Sequence, residues 1–294
     1  MQSLKHLGQK CVRNPCHPAT PAVVFVRTAL DFFHPKPGAE YADRLKRKKP
    51  KQLIRKSLKM LPEEIHKWSE EMKDKFVANP IIATFHGDYE VLFKFDNNQI
   101  VDDWILTTDR LFSEGKSQAE FVLGQNKTGL FRGFVNTDVP KDGIIKQAGY
   151  CNIRSPIKTM SFGRPNPHDL TNYTHLLFRV RGDGRPYQIQ LSMDRYFDVQ
   201  FHDQYIYTLF TRGGPYWQLA HIPLSKFFLS SKGRIQDAQE RIQADKIQNF
   251  GLTIADGVMG PFQLEIDFIA AIKDERHKEE FAYEMYETTS ISLL

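Results

Sequence analysis

The sequence predicts an antiparallel β-sandwich, with a jelly roll ahead of other all-β layouts. Three observations carry the prediction. Roughly ten short segments between Tyr89 and Phe268 alternate apolar and polar residues with period two, the mark of strands with one dry face. Clusters of Gly, Pro, Asn and Asp bound them. No helical segments recur between them, which removes the α/β layouts.

The clearest run is 176–217. Leu176, Phe178 and Val180 alternate with Leu177, Arg179 and Arg181. Arg181-Gly182-Asp183-Gly184-Arg185-Pro186 must turn, because its glycines supply positive φ and Pro186 has no ladder donor. Tyr187, Ile189, Leu191 and Met193 then share one face, and Gln188, Gln190 and Ser192 the other. A third strand, Tyr205 to Thr211, ends at Arg212-Gly213-Gly214-Pro215, ahead of Tyr216 and Trp217.

From the start of the chain, residues 1–30 hold no Asp or Glu but include Lys5, Lys10, Arg13 and Arg27. That composition suits a mitochondrial transit peptide, although Pro15, Pro18 and Pro21 interrupt any helix, and a basic tail is the other reading. Residues 44–59 carry nine Lys or Arg with Leu53, Ile54 and Leu58 interleaved. Such a run can dock on an anionic membrane or an acidic partner, serve as a nuclear localisation run, or stay a solvated arm. A helix is predicted from Leu61 to Phe76: Pro62 suits the first turn, and Glu63 and Glu64 suit the positive end of the dipole. Ile65, Trp68, Met72 and Phe76 form its apolar stripe, to pack on the domain or to grip a partner.

Strands follow at Tyr89–Phe95, Ile105–Thr108, Gln118–Leu123, Gly129–Val135 and Gly149–Arg154. Beyond Trp217, Ser225 is placed to cap a short helical turn, and 237–248 is a small helix or a long loop. Phe250, Leu252 and Ile254 alternate, then Phe262, Leu264, Ile266 and Phe268 do so against Gln263, Glu265 and Asp267. The charged tail from Lys273 onward is expected to be poorly ordered.

Residues 1–60 hold 14 Lys or Arg against 3 Asp or Glu, while the remaining 234 hold 26 against 32. The basic charge belongs to the arm, and a mildly acidic body argues against nucleic acid as the main partner. Three cysteines, Cys11, Cys16 and Cys151, are too few and odd for a disulfide framework, and Cys11, Cys16 and His17 lack the rest of a metal set. No apolar run approaches a membrane span.

No Gly-x-Ser-x-Gly elbow or phosphate loop is present. Glu265 and Asp267 share a strand face, as a carboxylate or calcium pair would, but the wet side of an amphipathic strand explains them better. Arg179, Arg181, Arg185 and Arg212 lie near Asp183, Tyr187, Tyr216 and Trp217. They either lock the turns at one end or form a recognition surface. Arg212→Ala is expected to destabilise the domain more than it weakens an interface.

These residues also carry a resemblance. Phe178-Arg179-Val180-Arg181-Gly182-Asp183-Gly184-Arg185-Pro186, Phe210-Thr211-Arg212-Gly213-Gly214-Pro215-Tyr216-Trp217 and 222–228 resemble the complex I intermediate-associated protein 30 family, as do 251–256, 260–269 and 280–284. The match runs from about 85 to 284; 113–117 departs from the family's Gly-Gly-x-Ser turn, and the first 80 residues match loosely. The resemblance implies a galactose-binding-like sandwich over 85–272, with a transit peptide in 1–30, a basic arm and helix in 31–84, and a charged tail in 273–294. It implies a non-catalytic factor, without cofactor or metal, for assembly of mitochondrial NADH:ubiquinone oxidoreductase (complex I). Such a factor works in the matrix, peripheral to the inner membrane. Its implied partners are complex I assembly intermediates, an acyl-CoA-dehydrogenase-like assembly flavoprotein, the evolutionarily conserved signalling intermediate in Toll pathways, and inner-membrane assembly proteins. Candidate contacts are Trp68, Met72, Phe76, Arg181, Asp183, Arg185, Arg212, Tyr216 and Trp217. The alternative is a carbohydrate- or small-ligand-binding module, with Trp217 and Gln218 facing the ligand.

Overall fold

The computed structural model describes residues 61–73, 84–111, 115–139, 148–194, 203–231 and 233–283. Among these, two antiparallel sheets pack face to face. Sheet A contains β1 (Tyr89–Lys94), β3 (Gln118–Leu123), β4 (Gly129–Val135), β6 (His175–Arg181), β9 (Gln218–Pro223) and β13 (Gly260–Ile272). Sheet B runs in the order β11 (Arg234–Ile235), β10 (Phe228–Ser231), β8 (Asp203–Phe210), β7 (Pro186–Met193), β12 (Ile247–Ile254), β5 (Cys151–Arg154), β2 (Ile105–Thr108).

The thirteen-residue β13 is the spine of sheet A. Along one edge its first half pairs with β4 and its second half with β1, while β6 takes the other edge. A bulge between Ile266 and Phe268 resets the alternation midway, so that Phe262, Leu264 and Ile266, and then Ile269 and Ala271, all face inward. Opposite them β7 alternates as its sequence predicts, with Tyr187, Ile189 and Leu191 at 0% exposure. Phe131, Phe178, Ile153, Phe250 and Leu252 complete one continuous core. Each such side chain withdrawn from water stabilises the fold by about 1.5–3 kcal/mol.

The predicted helix forms as α1, over 61–73, and Phe76 lies outside the described residues. A second, short helix, α2 (Asn98–Asp103), was not evident from apolar period. It is set by Asn97, whose side chain accepts the Gln99 N–H at 3.1 Å. The segment 237–248 resolves into bends, a 3-10 turn at Ala244–Lys246 and the start of β12. Ser225 sits inside a 3-10 turn (Leu224–Lys226) and does not cap it. Its hydroxyl donates to Glu279 at 2.8 Å and meets His277 Nε2 at 3.0 Å. With the Ala282 N–H on Ser225 O and the Tyr283 hydroxyl on Lys226 O, this holds 277–283 against the sandwich, where sequence had suggested a poorly ordered tail.

An aromatic corner closes the core near α2. Phe93, Phe95, Trp104 and Phe121 meet edge to face or tilted, and His168 lies against Phe93 and Phe250. His168 Nε2 is buried without a partner, and burial lowers the imidazole pKa to about 4 from 6.5. The unfolded chain therefore takes up a proton near pH 6.5 that the folded protein refuses until about pH 4. Stability is full above the unfolded value and falls as pH drops through that window, by an amount on the order of 3 kcal/mol. Urea unfolding between pH 7 and 4 should show this loss, and His168→Phe should flatten it; an unaltered pH slope in the variant would place the sensitivity elsewhere.

Candidate functional site

The two turns that sequence places inside 176–217 are not hairpins. β6 is in sheet A and β7 in sheet B, so 182–185 carries the chain across the sandwich. Likewise 211–217 crosses from β8 to β9, and 255–259 from β12 to β13. All three crossovers lie at one end, and one guanidinium joins two of them. Arg185 forks onto Asp256 (2.8 and 2.6 Å) and donates to the carbonyls of Val258, Gly260 and Pro261. The pairing with Asp256 raises the Arg185 pKa. Burial pushes the Asp256 carboxyl up, but the Arg185 bonds more than offset this and hold it below the ordinary carboxylate value.

Asp183 is the second clamp. It accepts the Arg185 N–H at 3.0 Å, the Gln263 N–H at 2.8 Å and the Tyr187 hydroxyl at 3.2 Å. The third crossover is tied in by Thr211, which donates to Arg185 O at 2.8 Å and accepts the Gly184 N–H at 3.1 Å. Gly182 is required because a Cβ there would stand 2.4 Å from Thr211 Cβ, and Gly184 because its φ is +94°.

Beside this lock, the outer face of sheet A carries a charged ladder. Arg181 pairs with Glu265, its register partner on β13, and Arg179 with Asp267, the extra residue of the bulge. Glu265 is only 4% exposed at its side chain and also accepts from Thr128 (2.5 Å) and Asn126 (3.1 Å). Burial pushes its carboxyl up, but these donors and Arg181 outweigh burial and hold it below the ordinary value. Trp217 covers the ladder, its ring 5.0 Å from the Arg179 guanidinium carbon and 5.3 Å from that of Arg181. Glu265 and Asp267 are thus each bonded to an arginine, not a free pair of carboxylates.

The candidate residues therefore divide. Arg181, Asp183 and Arg185 are consumed by internal bonds, and Trp217 is half-buried over the arginines. Arg212 and Tyr216 are exposed, Tyr216 at 77%. Arg212 is bonded through its backbone N–H to Gln218, and its guanidinium has no partner among the described residues. The expectation that Arg212 locks a turn is reversed by this geometry: Gln218, bridging Arg212 N and Phe210 O, is the lock. That also engages both residues offered for a sugar. Sequence reasoning missed Phe210, Leu219, Val258 and Met259, all at least half exposed on or beside the crossovers. Alternation assigns Phe210 to the wet side of β8, and an aromatic there was the available signal.

Elsewhere on sheet A an open depression of ≈ 450 Å³ is lined by Gln118, Glu120, Arg132, Phe134 and Gln263, with Glu120 and Arg132 paired in it. Cys151 is buried, and burial pushes its thiol up to about 12, so it is inert at neutral pH. Cys11 and Cys16 lie outside the described residues, among which no three His, Cys, Asp or Glu side chains gather as a metal set. Trp68 and Met72 are on α1, apart from the crossover residues in sequence.

Comparison with known proteins gives consistent matches. The family model described as Complex I intermediate-associated protein 30 matches residues 93–266. The chain is 46% identical over 259 residues to the Complex I intermediate-associated protein 30, mitochondrial, of Drosophila melanogaster, covering 87% of this chain and 88% of that protein. To the Mus musculus protein of the same name it is 38% identical over 234 residues, covering 77% and 71%. Among solved structures, a family 11 carbohydrate-binding module from Clostridium thermocellum, in complex with a mixed-linked tetrasaccharide, aligns at 16% identity and a TM-score of 0.45, covering 65% of this chain and 98% of that one. A likeness of that size speaks to neither ligand nor role.

The division between locked and free residues is testable by thermal or urea unfolding. Arg185→Ala leaves Asp256 buried and unpaired, so a loss of about 3–5 kcal/mol is expected, and Arg185→Lys recovers only part because an ammonium cannot fork. Arg212→Ala should change stability by under about 0.5 kcal/mol. A large loss for Arg212→Ala with a small one for Arg185→Ala would reverse the assignment.

Proposed function

The chain belongs to the complex I intermediate-associated protein 30 family, and from that premise we propose that it serves the assembly of respiratory complex I in mitochondria. It acts as a non-catalytic scaffold that binds assembly intermediates at the matrix side of the inner membrane and is peripheral to that membrane. The relatives' names supply the complex and the compartment. The observation that carries the scaffold reading is the crossover end: a rigid, internally bonded base presenting Phe210, Arg212, Tyr216, Leu219, Val258 and Met259 to solvent.

That combination suits a protein interface. Aromatic and Arg side chains carry most interface energy when they enter a partner's pocket, and a pre-ordered base lowers the entropy cost of docking. The charged groups around it are already paired, so they do not have to be stripped of water without compensation on binding. An acyl-CoA-dehydrogenase-like flavoprotein, the evolutionarily conserved signalling intermediate in Toll pathways and small inner-membrane assembly proteins are the partners this reading proposes for the rim.

The test is complementation of cells lacking the protein, read on native gels stained for NADH dehydrogenase activity. The wild-type chain should restore mature complex I. Arg212→Glu with Tyr216→Ala should melt within a few degrees of wild type yet leave complex I low and membrane subassemblies accumulated, with the other respiratory complexes unchanged. Unaltered complex I in the depleted cells would sink the assembly role. Full rescue by the double variant would keep the role and move the binding face elsewhere.

A further inference from the structure

Helix α1 meets the sandwich through charge and not through packing. None of its residues is buried, and Leu61, Ile65 and Trp68 on its apolar stripe are 41%, 48% and 45% exposed. The contact is made by Glu64 and Glu71, which lie seven residues apart and so share a face. Glu71 accepts the Ser161 N–H at 2.6 Å and the Ser161 hydroxyl at 3.0 Å, and pairs with Arg164. Glu64 accepts the Phe162 N–H at 2.6 Å. The bond from Phe162 is the main cause that holds the Glu64 carboxyl below its ordinary value, and the bond from Ser161 does the same for Glu71.

The turn that receives these carboxylates is built without the helix. The Met160 N–H donates to Arg164 O at 2.7 Å, the Gly163 N–H to Met160 O at 3.2 Å and the Arg164 N–H to Ser161 O at 3.4 Å, while Thr159 bridges to Pro165. The Arg164 side chain is also fixed from within, donating to Ser161 O at 3.1 Å and Ser161 Oγ at 2.7 Å. These bonds leave over the N–H groups of Ser161 and Phe162. Phe162 holds φ +59°, the left-handed region that a bulky residue occupies only when its surroundings impose it. Two successive N–H groups in such a turn, beside a guanidinium, form a concavity for an anion.

Two features make the occupant separable from the site. Seven residues of helix set Glu64 and Glu71 about 10 Å apart along the axis, whereas neighbouring Cα atoms are about 3.8 Å apart, so the two side chains must lean together to reach adjacent amides. Like charge opposes this: Glu71 pushes the Glu64 carboxyl upward, though less than the Phe162 N–H draws it down. The second feature is the absence of any buried residue on α1. An element held by a few accessible polar bonds opens locally while the core stays folded. When it opens, the turn keeps its own bonds, and Arg164 has no other acid among the described residues.

We propose that the 160–164 turn is a binding site for an acidic helix, one presenting two carboxylates two turns apart, and that α1 is its exchangeable ligand in cis. A partner helix of that chemistry and docked α1 exclude one another, so its binding frees α1 from the sandwich. The site is independent of the crossover rim and of the assembly role, and either can fail without the other.

The test uses the purified full chain and a synthetic peptide of residues 61–73, stapled on its solvent side to keep it helical, with amide hydrogen exchange at Ser161 and Phe162 as the readout. Both amides should be protected in the wild type. Glu64→Gln with Glu71→Gln should speed their exchange at least about tenfold and leave the strands and the melting temperature unchanged, since neither side chain lies in the core. Added peptide should restore protection to that variant. It should do little to the wild type, where covalent linkage supplies α1 at an effective concentration of about millimolar. A peptide with both glutamates replaced by glutamine should restore nothing. Unchanged exchange in the variant would overturn the proposal, because α1 would then be held by something other than its carboxylates. So would a peptide without effect on the variant, or a glutamine peptide that protects as well as the acidic one.

Discussion

The constraint on which the rest depends is the clamp formed by Arg185, Asp183 and Asp256. A two-sheet sandwich keeps its sheets in register only if the segments that cross between them are fixed, because side-chain interdigitation tolerates sliding better than a hydrogen-bonded turn does. Here three crossovers meet at one end. Arg185 holds the third through a carboxylate and three carbonyls, and Asp183 reaches the first residues of β13 through Gln263 N. Thr211 brings in the second. The planar fork of Arg satisfies several acceptors at fixed angles, which an ammonium cannot do. β13 can therefore run for thirteen residues as a spine because its start is pinned.

The charged ladder next to the clamp obeys a different energetic logic. Glu265 is nearly buried, and its Coulomb attraction to Arg181 must first offset the cost of removing it from water. Thr128 and Asn126 fill the remaining acceptor positions, so the cost is shared over several bonds. Asp267, more exposed, needs only Arg179. Trp217 then excludes water from the arginine faces. The result is a face on which four charges are neutral in sum and unavailable for acid–base work.

The sequence carries the local pattern and not the pairing. Period two locates β6, β7 and the first half of β13 with their inward residues, since the alternation of Tyr187, Ile189 and Leu191 is set by the pleat alone, but it puts Phe268 inward where the bulge after Ile266 turns in Ile269 and Ala271 instead. It is silent on which sheet a strand enters, and a Gly-rich turn reads the same whether it closes a hairpin or crosses a sandwich. The arginines were undecidable for the same reason: Arg181 meets Glu265 and Arg185 meets Asp256 across 84 and 71 residues of chain. Arg212, in an equally Gly-rich turn, meets no such acid among the described residues. Likewise the stripe on α1 was legible, while the face turned to the domain was not, because the Ser161–Arg164 turn that binds Glu71 has no helical or strand period to announce it. The order of 273–283 was hidden by composition: charged residues such as His277 and Glu279 look solvated until Ser225 is placed beneath them.

Charge distribution gives these surfaces an order of use. Residues 1–60 carry a large excess of Lys and Arg, while the rest of the chain carries a small excess of acid. An anionic partner attracts the first and repels the second, and these long-range forces act before any contact. Screening limits this steering to about a Debye length, roughly 8 Å at physiological ionic strength, so it orients the final approach and not the search. The crossover rim contributes little to that stage, since its arginines other than Arg212 are neutralised internally. Selection of a partner there must come from shape and apolar fit at short range, where a locked base is an advantage. Charge in the basic segment and packing at the rim therefore act at different ranges, and each can be lost without the other.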